Sequence, residues 1–485
     1  MLFNSIEFLV FFVIAVTLYF FIPHRFRWLF LLLASCYFYM CWNPVYIVLL
    51  LISTLIDYFA GLMMAKTGEK KRRRKYLIIS LCSNLGLLFA FKYFNFFNGA
   101  FKVLLGTLNI TYNIGALQVL LPVGISFYTF QTMSYALDVY RGEKKPERHF
   151  GIFALYVSFF PQLVAGPIER STRLLPQFYN KIKFNYERTT DGLLLMLWGF
   201  FKKVVIADRV AAMVDQVYNN VYEYQGLTLI IATLLFAFQI YCDFSGYSDI
   251  AIGAARIMGF DLMTNFRTPY YAKSISEFWK RWHISLTSWF KDYLYISLGG
   301  NRVVKWRWYY NIMIVFVISG FWHGANWTFI IWGALNGFYL LFSIWTAGLR
   351  EKIARFFHLD KLPDLRTIIK ALITFALVCF AWIFFRANSL TEAFYVITHL
   401  FTGILSQETL AFVFSGLGFG VRGFLIALAA ICLMETIQLV QQRRSIKEIL
   451  EKKPAALRLA VYVGLIVCII MLGKFSANQF IYFQF

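Results

Sequence analysis

The sequence predicts an all-α polytopic membrane protein, on three observations. Of its 485 residues, 60% are apolar, 20% are aromatic and only 15% are charged, against about 25% charged in an average globular chain. Residues 28–56, 103–137 and 308–349 contain no Asp, Glu, Lys or Arg at all. A spanning helix needs about 20 mostly apolar residues, so the apolar content suffices for roughly eleven spans. The basic residues lie between the apolar runs, as short loops of a membrane protein require. A disordered chain, a fibrous repeat and an ordinary soluble enzyme are excluded. The alternating segments of about ten residues that build an outer-membrane barrel are absent.

The first span is expected at 6–22, with no removed signal peptide before it. Asn43-Pro44 breaks the next apolar run into two helices, and the third span ends before the basic cluster at 70–75. Placing that cluster in the cytoplasm puts Arg25 and Arg27 inside as well and the N-terminus outside. Further apolar segments lie near 77–97, 119–138, 150–167, 191–206, 227–245, 308–322, 324–347, 368–385, 421–440 and 456–473. Some are short or broken by Gly and Pro, and read as re-entrant. The basic stretch 443–453 is expected in the cytoplasm, which sends the tail 474–485 outward. The whole chain, 1–485, reads as one integral-membrane domain. Its catalytic core is at about 120–350, and its C-terminal helices and extracytoplasmic tail at about 365–485.

The net charge of +22 fits this topology better than nucleic-acid binding. Seven scattered cysteines without a CxxC pair read as buried free thiols, and no metal site is expected.

Five motifs bear on chemistry. Residues 277–296, EFWKRWHISLTSWFKDYLYI, wind into an amphipathic helix at the cytoplasmic interface. Trp279, Trp282, Leu286, Trp289, Phe290 and Tyr293 share one face; Glu277, Lys280, Arg281, Lys291 and Asp292 share the other. His283 falls with the tryptophans, so it should point inward. Taken alone, it reads more simply as a core histidine bonded to backbone. Residues 319–332, SGFWHGANWTFIIW, put His323 in the longest charge-free run. An ionisable group at membrane depth is costly and marks a functional candidate. Neutral imidazole is a competent general base near neutral pH. Gly320 and Gly324 allow close approach, and the plainer alternative is a small-residue helix contact with His323 as interhelical glue. In residues 241–259, Asp243 and Asp249 could orient a histidine or hold a cation, or could cap a helix end at the interface. The Ser and Gly residues between them suggest a tight contact or a break. Residues 159–170, FFPQLVAGPIER, read as a broken segment buried in protein or lining a cavity. The terminal FIYFQF reads as an aromatic interface anchor. No GxxxxGK[ST], GxSxG or HExxH occurs, which weakens an ATPase, a soluble hydrolase and a zinc protease.

WKRWHISLTSWFKDYLYISLGGNR and GFWHGANWTFIIWGALNG resemble the membrane-bound O-acyltransferase (MBOAT) family, in its bacterial alginate O-acetylation branch. FPQLVAGPIER, YCDFSGYSDIAIG and FIYFQF look like that branch too, so the resemblance covers essentially the whole chain. It implies a ring of helices around a thin central region, with cytoplasmic and extracytoplasmic funnels and added interfacial and re-entrant helices. It implies that His323, in the WHG motif, is the catalytic histidine and that His283, in RWHISL, is its polar companion. Trp282, Trp322, Asn326 and Asp243 are the expected substrate-binding residues. The implied donor is acetyl-CoA or another acyl thioester, used as a substrate with no bound cofactor. The implied partner is a secreted or membrane-anchored esterase-like transferase of the SGNH type, with a polysaccharide as final acceptor. The expected site is the lipid bilayer of the bacterial inner membrane, with both termini extracytoplasmic and no nucleic acid involved. Phe480, Tyr482 and Phe485 resemble the C-terminal motif of the small peptide that accompanies the teichoic-acid D-alanyl branch. That likeness implies a phenyl-ester relay at Tyr482 with His323 as base, the rival being a plain aromatic anchor. A D-alanyl transferase fed by a carrier-protein thioester is the nearest alternative, and a transporter or channel is the alternative of another class.

Overall fold

In hydrocarbon every backbone polar group must be satisfied within its own segment, and helices do that. The computed structural model describes residues 1–442, 446–475 and 480–481. Among these, all regular structure is helical. Seven helices among the described residues are long and apolar enough to cross a membrane: Pro44–Lys66, Lys70–Thr107, Leu227–Ile257, Trp327–Trp345, Pro363–Arg386, Val421–Gln441 and Ala455–Leu472. The roughly eleven spans expected from apolar content are therefore not all continuous long helices. Ile6–Phe21 has 16 residues and Ile125–Arg141 has 17, while Phe150–Ser158 has nine. Lys305–His323 is continuous over 19 residues, whereas a π-helical turn at Phe201–Ala207 interrupts the stretch expected at 191–206.

Residues 1–193 and 251–263 pack as one unit. The expected break at Asn43-Pro44 is present: the Asn43 side chain accepts from the Val45 N–H at 3.0 Å, and proline opens the next helix. Asp57 is wholly buried in that next span. It survives there because Ser80 and Asn84, on a neighbouring helix, donate hydrogen bonds to its carboxylate. FFPQLVAGPIER is broken and buried, as its prolines require. The helix Phe150–Ser158 stops, one turn forms at Phe160–Leu163, and the chain then doubles back so tightly that a Cβ on Gly166 would lie 2.4 Å from the Gln162 Cα.

Residues 194–250 and 264–485 form the second unit, which carries both histidine motifs. The helix Leu227–Ile257 runs unbroken for 31 residues through Asp243 and Asp249. Neither a break nor a helix cap lies between them, contrary to one reading of the Ser-Gly pair. The tight contact is real: a Cβ on Gly199 would sit 2.6 Å from the Gly246 carbonyl oxygen. Next to it, Phe201–Ala207 forms a π-helical turn, a wider winding often found at functional sites.

Candidate active site

Residues 277–296 do not form one amphipathic helix. Ile275–Arg281 ends, Trp282 takes an extended conformation, and His283 adopts a left-handed one with φ +42° before Ile284–Trp289 begins. Histidine is among the side chains that enter this region more readily than most. The break is held from outside by Asn265. Its carbonyl accepts the Ile284 N–H at 2.9 Å, and its side-chain oxygen accepts the Ser285 hydroxyl at 2.7 Å. The two faces assigned on the wheel survive, because each half still turns its aromatic side inward. Trp279, Trp282, Leu286, Trp289, Phe290 and Tyr293 are all buried, and Lys280 and Lys291 are exposed. His283 is 1% exposed, with its ring edge-on to Phe244 at 4.6 Å between centroids. Burial drives its pKa down to about 3, because the charged imidazolium is the form that desolvation penalises. His283 is therefore a neutral imidazole at cellular pH.

His323 is the last residue of the helix Lys305–His323. Gly324 then turns the chain in an extended conformation, and Asn326 caps the helix Trp327–Trp345, its side chain accepting the Thr328 N–H at 3.1 Å. These two helices meet backbone to backbone through glycine. A Cβ on Gly320 would lie 2.2 Å from the Phe329 carbonyl oxygen, and one on Gly333 would lie 2.3 Å from that of Phe316. The close contact fixes where His323 emerges. Its ring meets Trp332 at 5.1 Å and Phe385 at 5.4 Å, and it is 3% exposed. Trp322 connects the two histidines, its ring 4.8 Å from His323 and 6.2 Å from His283. Trp382 closes the cluster, 5.1 Å from Trp282 and stacked on Trp332 at 5.7 Å.

The other expected site residues have definite places. Trp282 and Trp322 lie in this aromatic shell. Asn326, besides capping, donates to the Asn388 carbonyl at 3.2 Å. Asp243 pairs with Lys203 at 2.7 Å, and Lys203 pairs again with Asp208 at 2.9 Å. Asp249 pairs with Lys202 at 2.7 Å. Phe480 is buried against Phe244 at 5.6 Å and Tyr247 at 4.9 Å. Tyr482 and Phe485 lie outside the described residues.

Lys202 and Lys203 were missed by the sequence reading, although their signal was present: two adjacent lysines inside the apolar segment 191–206. The π-turn directs both inward, leaving them 3% and 5% exposed. Lys202 also borders a cavity of about 640 Å³ whose wall includes Arg267, Lys280, Arg281, Asp249, Tyr241 and Gln438. Four cations and one carboxylate line it; Lys202 is paired with Asp249 and Arg281 with Glu277, and the excess positive charge favours anions over cations.

The sequence profile of MBOAT, the membrane-bound O-acyltransferase family, matches residues 149–391. The chain is 38% identical over 404 residues to the probable alginate O-acetylase AlgI of Pseudomonas aeruginosa, covering 83% of this chain and 75% of that protein. It is 40% identical over 395 residues to the peptidoglycan O-acetyltransferase of Helicobacter pylori, covering 76% of this chain and 72% of that protein. Likeness to the teichoic acid D-alanyltransferase of Streptococcus thermophilus is lower, 30% over 248 residues, covering 47% of this chain and 58% of that protein.

Proposed function

The chain belongs to the membrane-bound O-acyltransferase family and is a multi-pass membrane O-acyltransferase, and on that footing we propose that it passes an acetyl group from a cytoplasmic thioester to a polysaccharide outside the bacterial inner membrane. The observation that carries this reading is a buried histidine, His323, held at a glycine-fixed helix end inside an aromatic shell that it shares with neutral His283. A dry shell of this kind limits hydrolysis of an activated acyl group. His323 takes the proton from an attacking hydroxyl, the oxygen forms a bond to the thioester carbonyl carbon, the C–S bond breaks, and the departing thiolate recovers a proton. His283, uncharged, orients the donor or assists that proton transfer.

The basic cavity supports acetyl-CoA as the donor, since its phosphates suit Lys202, Arg267, Lys280 and Arg281. The cavity wall also includes Gln441 and Gln442, which precede the basic stretch expected in the cytoplasm. Acetyl transfer is favoured over D-alanyl transfer because the likeness to the two O-acetylases extends over far more of the chain. The acyl group leaves for a secreted or membrane-anchored transferase of the SGNH type. Tyr482 is the proposed relay, its phenol accepting the acyl group as an aryl ester that a serine of the partner can attack. Trp282, Trp322 and Asn326 shape the donor's path.

His323→Ala tests this reading. At equal membrane abundance, polymer O-acetylation should fall about 10²–10⁴-fold, the usual worth of a general base. Acetylation near the wild-type level would overturn the assignment. Tyr482→Phe keeps the ring and removes the nucleophile; normal acetylation by that variant would end the relay and leave the anchor.

A further inference from the structure

The segment after the last spanning helix is stitched into the second unit at successive points. Arg209 donates to the Leu472 carbonyl, and the Lys474 N–H donates to the Val204 carbonyl at 2.8 Å. That carbonyl lies in the π-turn that carries Lys202 and Lys203. Further along, Phe480 is buried, and the Ile481 N–H donates to the Asp243 Oδ2 at 2.8 Å. The same carboxylate presents Oδ1 to Lys203 at 2.7 Å.

We propose that Asp243 is a positioning residue that clamps the C-terminal tail by its backbone at Ile481, with Lys203 holding the carboxylate in place from its other oxygen. Three features support a clamp over a plain structural ion pair. Lys203 already has a carboxylate partner in Asp208 at 2.9 Å, so it does not depend on Asp243 for one. The other oxygen of Asp243 accepts from a backbone N–H that lies 238 residues away in the chain, a tertiary contact that a plain ion pair does not make. The clamped point adjoins the histidine shell, because Phe480 touches Phe244, whose ring also meets His283 at 4.6 Å. The clamp thus fixes the chain one residue before Tyr482 in sequence. Its role in activity rests on the acyl-transfer reading above; its role in holding the tail does not.

Three full-length variants test it, purified in detergent and also expressed in cells. Asp243→Ala removes the acceptor and leaves the Lys203–Asp208 pair. Asp243→Asn keeps an uncharged acceptor oxygen. Ile481→Pro removes the donor from the tail itself and leaves the ion pairs untouched, so it reads the clamp even if Asp243→Ala is not recovered folded. Hydrogen–deuterium exchange of the peptide 474–485 is measured beside polymer acetylation. Asp243→Ala and Ile481→Pro are expected to exchange at least tenfold faster there and to lose at least tenfold in acetylation, while Asp243→Asn keeps most of both. Wild-type exchange in Ile481→Pro, or equal losses in Asp243→Ala and Asp243→Asn, would overturn the clamp. Faster exchange in a protein whose wild type acetylates no polymer would uphold the clamp and remove the functional reading instead.

Discussion

Gly320→Ala should disable the enzyme without unfolding it, and the magnitude follows from the helix contact. The added Cβ would lie 2.2 Å from the Phe329 carbonyl oxygen and 3.1 Å from the Gly333 Cα, whereas ordinary contact begins near 3.4 Å. The two backbones must part by about 1.2 Å along the first of these lines, and neither obstacle is a side chain that could rotate away. His323 lies three residues further on, at the end of the same helix, and its ring is set against Trp332 and Phe385 on the far side of the contact. A displacement near 1 Å at a reacting group can cost about 10²-fold in rate. Acetylation should therefore fall about 10- to 100-fold. Helix propensity acts in the opposite direction, since alanine is favoured over glycine by about 1 kcal/mol inside a helix. The assay is base-released acetate from isolated polymer, normalised to membrane abundance of the variant. Gly86→Ala is the control, because nothing lies within 4 Å of its Cβ position. Acetylation within twofold of wild type in Gly320→Ala would refute the claim that this glycine contact positions His323.

His283 predicts a pH effect on stability. Its pKa is about 3 in the folded protein against about 6.5 for a free histidine, so between those values only the unfolded chain takes up the proton. Stability should fall as pH drops below about 6.5, by about 2 kcal/mol at pH 5. His283→Asn, which tolerates the left-handed backbone, should lack that component; identical pH slopes in denaturant unfolding of the two proteins would contradict it. Arg267→Glu should raise KM for acetyl-CoA about tenfold or more while kcat holds, since a hydrogen bond to a charged group is worth about 1.5–3 kcal/mol; an unchanged KM would remove the basic cavity from donor binding. Trp382→Ala should cost about 3–5 kcal/mol, read as a lower Tm, because the residue is 1% exposed and packs on both Trp282 and Trp332.

Much of this molecule was legible from its residues alone. Hydropathy and charge are local properties, and lipid leaves the backbone few options, so the membrane class and most segment limits follow directly from the apolar runs. The helix Pro363–Arg386 brackets the segment expected at 368–385, and Val421–Gln441 the one expected at 421–440. The inward faces of residues 277–296 were also legible, because side-chain character still sorts by the direction in which each short helix faces. His323 stood out because ionisable groups are rare in such apolar surroundings, whereas His283 read by itself as a core histidine and was singled out by the family resemblance.

What the sequence could not decide depends on partners far away in the chain. The wheel assumes an unbroken helix, and the break at His283 exists because Asn265 supplies the hydrogen bonds that the helix gives up. Asp243 read equally well as a cap, a cation ligand or a partner of a histidine. Its choice of Lys203 and the Ile481 N–H was made by the packing of a π-turn and the C-terminal tail against one long helix. A buried charge must find a counter-charge or a donor, which composition can announce. Which one it finds is set only when the chain has folded, because low dielectric rewards whichever group the packing brings within reach.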